Sequence, residues 1–340
     1  MTGLLGDDGT WSYLDCPREV LRRLRLGHLN DEERKEIEKT CLLYQDIFHL
    51  PGEVLSSTTA VKHEIRLEPG TEPVNASLYR LPESQKQEVR RQVEELKRGG
   101  IITESNSPLN SPLLVVPKKT DATGERSWRL VTEYRKLNEK TVGDAYSLPD
   151  MKEIIDQLGQ SKYFSCIDMV MGFHQREMAE ENRAKTAFRT KEGHWEYKHL
   201  PFGLKVAHAT FQRMMNVVLS GLMRSCCFVF LDDIVIYAKS LAEHDAKIRQ
   251  VLDRIRGSNL KLKLEKCEFL WKEVSYLGHV ISENGVLPDK AKTKVTEEFP
   301  TPQTVKQLKS FLGLMSYYRR FIPRFSKLAS PLHKLLKKGY

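Results

Sequence analysis

Two aspartates lie side by side between two apolar, largely β-branched runs in Phe228-Val-Phe-Leu-Asp-Asp-Ile-Val-Ile-Tyr237. Such runs demand burial in a sheet, so their junction must be a tight turn at the edge of that sheet. Two like charges there repel, and desolvation raises the cost of both. A divalent cation relieves that cost directly. Asp also favours ordinary turns, so the hairpin alone supports a plain turn and a metal site equally. Asp168 shifts the balance. It too ends an apolar strand, Tyr163-Phe-Ser-Cys-Ile-Asp-Met, 64 residues before Asp232. If the two strand elements are neighbours in one sheet, Asp168, Asp232 and Asp233 converge at one edge. That is a hard-oxygen site suited to Mg²⁺, with positions left for phosphates and water. A pair of such ions can clamp the attacking and leaving oxygens of an in-line phosphoryl transfer.

The rest of the chain supplies a frame for that edge. Asn30 and Asp31 can cap a helix running through Ile37 to Leu42. Residues 51–82, rich in Pro, Gly, Ser and Thr, form an extended lead-in. Glu83–Arg98 has Val89, Val93 and Leu96 at helical spacing, and Gly99–Gly100 stops it. Leu113–Val116 and Trp128–Val131 form a hairpin with basic residues at its tip and base. Helical stretches are expected at Leu148–Leu158, Ala207–Leu222 and Leu241–Arg256, with strands at Thr186–Thr190, His194–His199, around Leu262 and at Tyr276–Ile281. A central β–α–β–β–α order suits a sheet with helices packed on one face.

Charge is unevenly distributed. The net charge is +9, and residues 301–340 hold nine basic residues and no acidic ones, so the whole excess lies there. A basic end of this kind suits a polyanion, most simply nucleic acid. Thr301 and Pro302 suggest a helix start. Beyond them Val305, Leu308, Leu312 and Met315 share one face, while Lys306, Lys309, Gly313, Tyr317 and Arg320 share the other. The basic face suits a helix lying along a duplex backbone without reading its sequence. None of the six cysteines makes a Cys-x-x-Cys pair, which argues against a zinc site and a disulfide scaffold. No apolar run approaches the roughly 18 residues of a membrane span, and the N-terminal segment lacks the pattern of a signal peptide.

Ordered motifs carry a resemblance. They are Ser111-Pro-Leu-Leu-Val-Val-Pro-Lys118, Trp128-Arg-Leu-Val131, Tyr134-Arg-Lys-Leu-Asn138, Tyr163-Phe-Ser-Cys-Ile-Asp168, Gly172-Phe-His-Gln175, Lys185-Thr-Ala-Phe188, Leu200-Pro-Phe-Gly-Leu204, Ala209-Thr-Phe-Gln212, Phe230-Leu-Asp-Asp233, Lys266-Cys-Glu-Phe269, Tyr276-Leu-Gly-His279 and the segment Phe311–Ile322. From about residue 45 onward the chain resembles the reverse transcriptases of gypsy-type LTR retrotransposons. The resemblance implies an α+β right-hand polymerase of fingers, palm and thumb with a ferredoxin-like palm sheet. It divides the chain into a lead-in (1–82), fingers and palm (83–281), and thumb with the start of a connection (282–340). A family polyprotein would continue from there into a connection and ribonuclease H.

By the same resemblance, Asp168 and Asp232 are the main ligands of two Mg²⁺ ions, with Mn²⁺ as a substitute, and Asp233 assists them. Phe173 resembles the steric gate that packs under the sugar and excludes a 2′-OH, although an aromatic there could equally be plain core. Lys118 (or its register alternative Lys119) and Arg129 flank the fingers hairpin, where a triphosphate needs cations and Arg can lie flat on a base. Phe202 would line the floor of the pocket, and Gly203 would allow close backbone approach. The implied partners are an RNA or DNA template with primer and dNTPs, without a membrane, in the cytoplasm or in virus-like particles. Phe230, Glu133, Met171, Val206 and His208 depart from the family pattern. They motivate the alternative of a decayed element copy that only binds nucleic acid.

Overall fold

A computed structural model describes residues 16–117, 128–146, 149–230, 233–276, 278–289, 293, 294, 296 and 298–336. The chain forms two compact units. One holds Met1–Pro149, Ser165–Ile236 and Leu241–Leu270; the other holds Asp150–Phe164, Tyr237–Ser240 and Trp271–Tyr340.

The first unit opens with α1 (Cys16–Arg23) and α2 (Asp31–Leu43). Asn30 caps α2: its side chain accepts from the Glu33 N–H while the Glu33 carboxylate accepts from the Asn30 N–H. This reciprocal capping satisfies two otherwise orphaned donors. β1 (Thr58–His63) follows, then α3 (Glu83–Arg98), capped by Gly99 and turned by Gly100 at φ 68°. Next come β2 (Ile102–Glu104) and the antiparallel pair β3 (Leu113–Pro117) and β4 (Trp128–Thr132), with Val116 opposite Arg129. Then follow α4 (Arg135–Glu139) and, in the second unit, α5 (Met151–Leu158). The chain continues through β5 (Tyr163–Asp168), β6 (Arg176–Met178), α6 (Glu180–Arg183), β7 (Phe188–Arg189) and β8 (His194–Tyr197). β2, β8 and β7 make a small sheet whose inner side packs Phe188, Trp195 and Tyr197 against Val89 and Val93 of α3.

The central sheet is completed by α7 (Ala207–Val218), β9 (Cys227–Phe230), β10 (Asp233–Ala238), α8 (Leu241–Gly257) and β11 (Glu268–Trp271). Its strand order is β11–β5–β10–β9. Cys227 and Val229 on β9 and Ile234, Val235 and Ile236 on β10 are all fully buried, so consecutive residues on both faces are covered. This explains the unbroken apolar runs in the sequence. Register is pinned by Phe230 opposite Asp233 and Val229 opposite Ile234. A slip by one residue would exchange the faces of every side chain. Ser165 of β5 ties the sheet to its neighbours, bonding His244 Nε2 on α8 at 2.9 Å and accepting from Leu270 N at 3.0 Å.

The second unit holds the antiparallel meander β12 (Glu273–Tyr276), β13 (His279–Ser282) and β14 (Gly285–Pro288). Two helices follow, α9 (Val305–Tyr317) and α10 (Phe325–Lys334). Three expectations change here. The strand expected over Tyr276–Ile281 is two strands, because Gly278 at φ 73° breaks it and Tyr276 pairs back onto His279. Leu262 makes isolated bridges to Phe48 and Met169 rather than a strand. The helix start expected at Thr301–Pro302 lies at Thr304, which accepts from Gln307 N while the Gln307 side chain accepts from Thr304 N. A reciprocal cap outcompetes a lone threonine followed by proline.

One buried amide fixes the loop that follows β5. Gln175, fully buried, donates to Val170 O at 2.6 Å and Lys261 O at 2.8 Å, and accepts from Lys261 N at 2.6 Å. Gln175→Ala removes these three hydrogen bonds, leaving Lys261 O with only the Val170 N–H, and should cost about 2–4 kcal/mol in urea unfolding. A loss under about 1 kcal/mol would contradict the clamp. Stability should also depend on pH. Burial pushes the His63 and His174 imidazoles down to about 3 and about 4 from 6.5. The folded state therefore keeps both neutral while the unfolded chain protonates below 6.5. Their contribution is complete above that pH and is lost as pH falls from about 6.5 toward 3 to 4, reaching about 2 kcal/mol per group near pH 5. His63→Gln should flatten that slope; an unchanged slope would contradict it.

Candidate active site

Burial forces the acidic residues of the central sheet to its rim. Lys162 N donates to Ala238 O at 2.9 Å, which sets the start of β5 beside the end of β10. The two strands are neighbours and so run antiparallel, bringing Asp168 at the end of β5 to the same edge as Asp233 at the start of β10. Asp233 also helps push the Cys166 thiol up, after burial and Glu268. Asp233 is exposed and Asp168 half-buried. Phe230 pairs with Asp233, so only Leu231 and Asp232 connect the strands; both lie outside the described residues. Asp168 Oδ2 accepts from Lys266 Nζ at 3.2 Å, and its carbonyl accepts from Lys263 N at 2.9 Å. Among the described residues no three metal-binding side chains form a cluster. Asp168 and Asp233, with an ammonium already drawn to one of them, nonetheless offer hard-oxygen donors of the kind a divalent cation takes.

Behind Asp168 the chain turns sharply. Met171 adopts φ 45°, ψ 46°, and Gly172 starts a single 3₁₀ turn through Gln175. A Cβ on Gly172 would lie 3.3 Å from the Phe211 ring, a tight contact that the ring would have to yield to by a few tenths of an ångström. The turn delivers Phe173 into an aromatic cage. Its ring centroid is 5.0 Å from Phe202, 5.1 Å from Phe211 and 5.4 Å from His208. Phe173 is thus buried core. Phe202 is exposed, and the Arg129 guanidinium lies 5.7 Å from its ring centre. Gly203 holds φ 91°, where other residues are strained. Arg129, Phe173, Phe202 and Gly203 therefore gather on one side of the first unit. Lys118 and Lys119 lie outside the described residues.

The basic face belongs to the second unit. Leu308 and Leu312 of α9 are buried, packing with Ala329 of α10, whereas Val305 is exposed. Lys306, Lys309 and Gly313 are exposed together on the other side. Tyr317 ends the helix with its ring 5.5 Å from His279 and 4.9 Å from Tyr318. Arg320 is off the helix, in the short turn Arg319–Phe321, and pairs with Asp156 at 2.9 Å.

Three residues inside the quoted motifs escaped assignment from sequence. Gln175 clamps the loop behind Asp168, and Lys266 sits on Asp168 itself. Asn138 grips the Gly203 loop, donating to Gly203 O at 2.8 Å and accepting from Lys205 N at 2.8 Å. Polar residues at the ends of motifs were their only signal.

Residues 116–281 match the family model described as reverse transcriptase (RNA-dependent DNA polymerase). The chain is 45% identical over 332 residues to the retrovirus-related Pol polyprotein from transposon 297 of Drosophila melanogaster, covering 96% of this chain and 31% of that one. It is 37% identical to the corresponding polyprotein of transposon gypsy from the same organism, again covering 96% and 31%. The chain thus spans about a third of the length of these curated relatives. Among solved structures it resembles the foamy viral protease-reverse transcriptase in complex with double-stranded DNA, with a TM-score of 0.80 at 24% identity over 96% of this chain and 56% of the other. A second structure of that protein, with an RNA/DNA hybrid, gives 0.76 at 24% identity over 96% and 43%. The fold is mixed helix and sheet, as in the right-hand polymerases, and no helix among the described residues is long and apolar enough to cross a membrane. With its fold, its ordered motifs and its likeness to gypsy-type and other LTR-retrotransposon Pol polyproteins, the chain belongs to the reverse transcriptase family.

Proposed function

We propose that this chain is an RNA-directed DNA polymerase that extends a primer with dNTPs on an RNA or DNA template. The observation that carries the reading is the antiparallel placement of β5 beside β10, which brings Asp168 and Asp233 to one rim of a buried sheet. Asp168 and Asp232 would hold two Mg²⁺ ions there, or Mn²⁺ in their place, with Asp233 assisting. When bound, the ions lower the pKa of the primer 3′-OH and neutralise the departing pyrophosphate. The chain's own residues supply position and exclusion. Phe173, fixed by Phe202, Phe211 and His208, closes the space a 2′-OH would need. Arg129 over Phe202 can lie against the incoming base, and Lys118 can meet the triphosphate. Positioning and charge stabilisation account for most of the acceleration in such transfers. The domain division at residues 82 and 281 is part of the same reading, and so is action in the cytoplasm or within virus-like particles. The retroviral neighbours are bound to double-stranded DNA or an RNA/DNA hybrid, which supports a template–primer duplex as the partner. Lys306, Lys309 and Gly313 would then follow its backbone, with Tyr317 and Arg320 at the end of the same tract.

Primer extension on an RNA template with Mg²⁺ tests the reading. Wild type should incorporate dNTPs, Asp168→Asn should lower the rate at least about a hundredfold, and Phe173→Ala should admit ribonucleotides. Duplex binding without incorporation, unaltered by Asp168→Asn, would instead mark a nucleic-acid-binding protein of decayed activity. For the basic face, Lys306→Ala and Lys309→Ala should each weaken duplex binding irrespective of sequence and reduce the slope of log affinity against log salt by about 1. An unchanged slope would remove these lysines from the interface.

A further inference from the structure

Lys266 has no role in the proposed chemistry, yet it contacts the carboxylate at its centre, Asp168. Its ammonium lies 3.2 Å from Asp168 Oδ2. The base of the lysine is held there. It ends the 3₁₀ turn Leu264–Lys266, whose preceding residue donates from Lys263 N to Asp168 O at 2.9 Å, and Lys266 N returns to Lys263 O at 2.9 Å. Cys267 Sγ, fully buried, points at the same Asp168 carbonyl from 3.9 Å. The backbone on both sides of Lys266 is thus fastened to the end of β5. The side chain is not. It is 57% exposed against 23% for Asp168, so the stem can swing into water while its base stays in place.

A carboxylate at a rim shared with Asp233 gains from a cation. An ammonium and a divalent ion make the same kind of contact with a carboxylate oxygen, and the two cations repel each other. We propose that Lys266 is a resident counter-ion of Asp168 that competes with the divalent cation and so sets its affinity. The inference rests on the reading of Asp168 as a metal ligand. An exposed pair of this kind is weak, which suits a placeholder. It steadies the rim when no metal is bound and yields to a double charge without a large penalty.

Titration of the full chain with Mn²⁺ alone, without nucleic acid or dNTP and at low salt, tests this by electron paramagnetic resonance of the free ion. Lys266→Gln should tighten Mn²⁺ binding about three- to tenfold, and the gain should shrink as salt rises. Lys266→Arg, which keeps the cation, should bind as wild type does. Lys263→Gln, which removes a lysine from the same turn, should give a clearly smaller gain than Lys266→Gln. If Asp168→Asn weakens Mn²⁺ binding while Lys266→Gln leaves it unchanged, the counter-ion proposal fails and the metal reading stands. Equal gains from Lys266→Gln and Lys263→Gln would also overturn it, showing only a general field. If Asp168→Asn leaves Mn²⁺ binding unchanged, the metal reading itself fails and the proposal falls with it.

Discussion

The architecture depends on a sheet buried on both faces that nonetheless ends in carboxylates. Val229 on β9 and Ile234 through Ile236 on β10 are fully enclosed, so the chain has nowhere to put a charge except at the rim. Register then does the rest. Phe230 opposite Asp233 leaves a two-residue connection, and the Lys162–Ala238 bond aligns β5 so that Asp168 reaches the same rim. The hydrophobic effect thereby chooses where the polar chemistry sits. Lys266 supplies a cation at that rim, 3.2 Å from Asp168 Oδ2.

From the rim outward, each supporting element is a polar residue satisfying backbone groups that a turn leaves open. Gln175 closes the loop that carries Phe173, and Asn138 closes the one that carries Gly203. Glycine keeps the contact loose where backbone meets ring, as at Gly172 against Phe211. Phe173, Phe202 and Phe211 thus pack ring against ring, while the loops behind them are hydrogen-bonded.

Much of this was legible before the fold was known, for physical reasons. The β3–β4 and β7–β8 hairpins, the capped α2 and the Gly-terminated α3 are local features, in which pattern and turn chemistry agree. The acids' placement at strand ends was legible too, whereas the adjacency of β5 and β10 that brings Asp168 and Asp233 to one edge came only with the fold. What the sequence did not disclose depends on contacts between distant segments. The bond from Lys266 to Asp168 spans 98 residues and that from Asn138 to Gly203 spans 65. The split of Tyr276–Ile281 by Gly278 was missed because the apolar pattern continues through the turn. Arg320 was placed on a helical face by spacing alone, but the helix ends at Tyr317 and its guanidinium turns to Asp156.

The departures from the family pattern now have surroundings. His208 packs at right angles to the Phe173 ring, and Met171 takes a left-handed backbone next to Gly172. Neither change removes a proposed ligand, so whether the rim binds metal is the central question. Replacing the divalent ion with Fe²⁺ and adding ascorbate and peroxide cuts the backbone where the metal sits. Metal at the rim should give cleavage at two places distant in sequence, beside Asp168 and within Asp232–Asp233, both suppressed by excess Mg²⁺. Cleavage elsewhere, or none that Mg²⁺ suppresses, would contradict it.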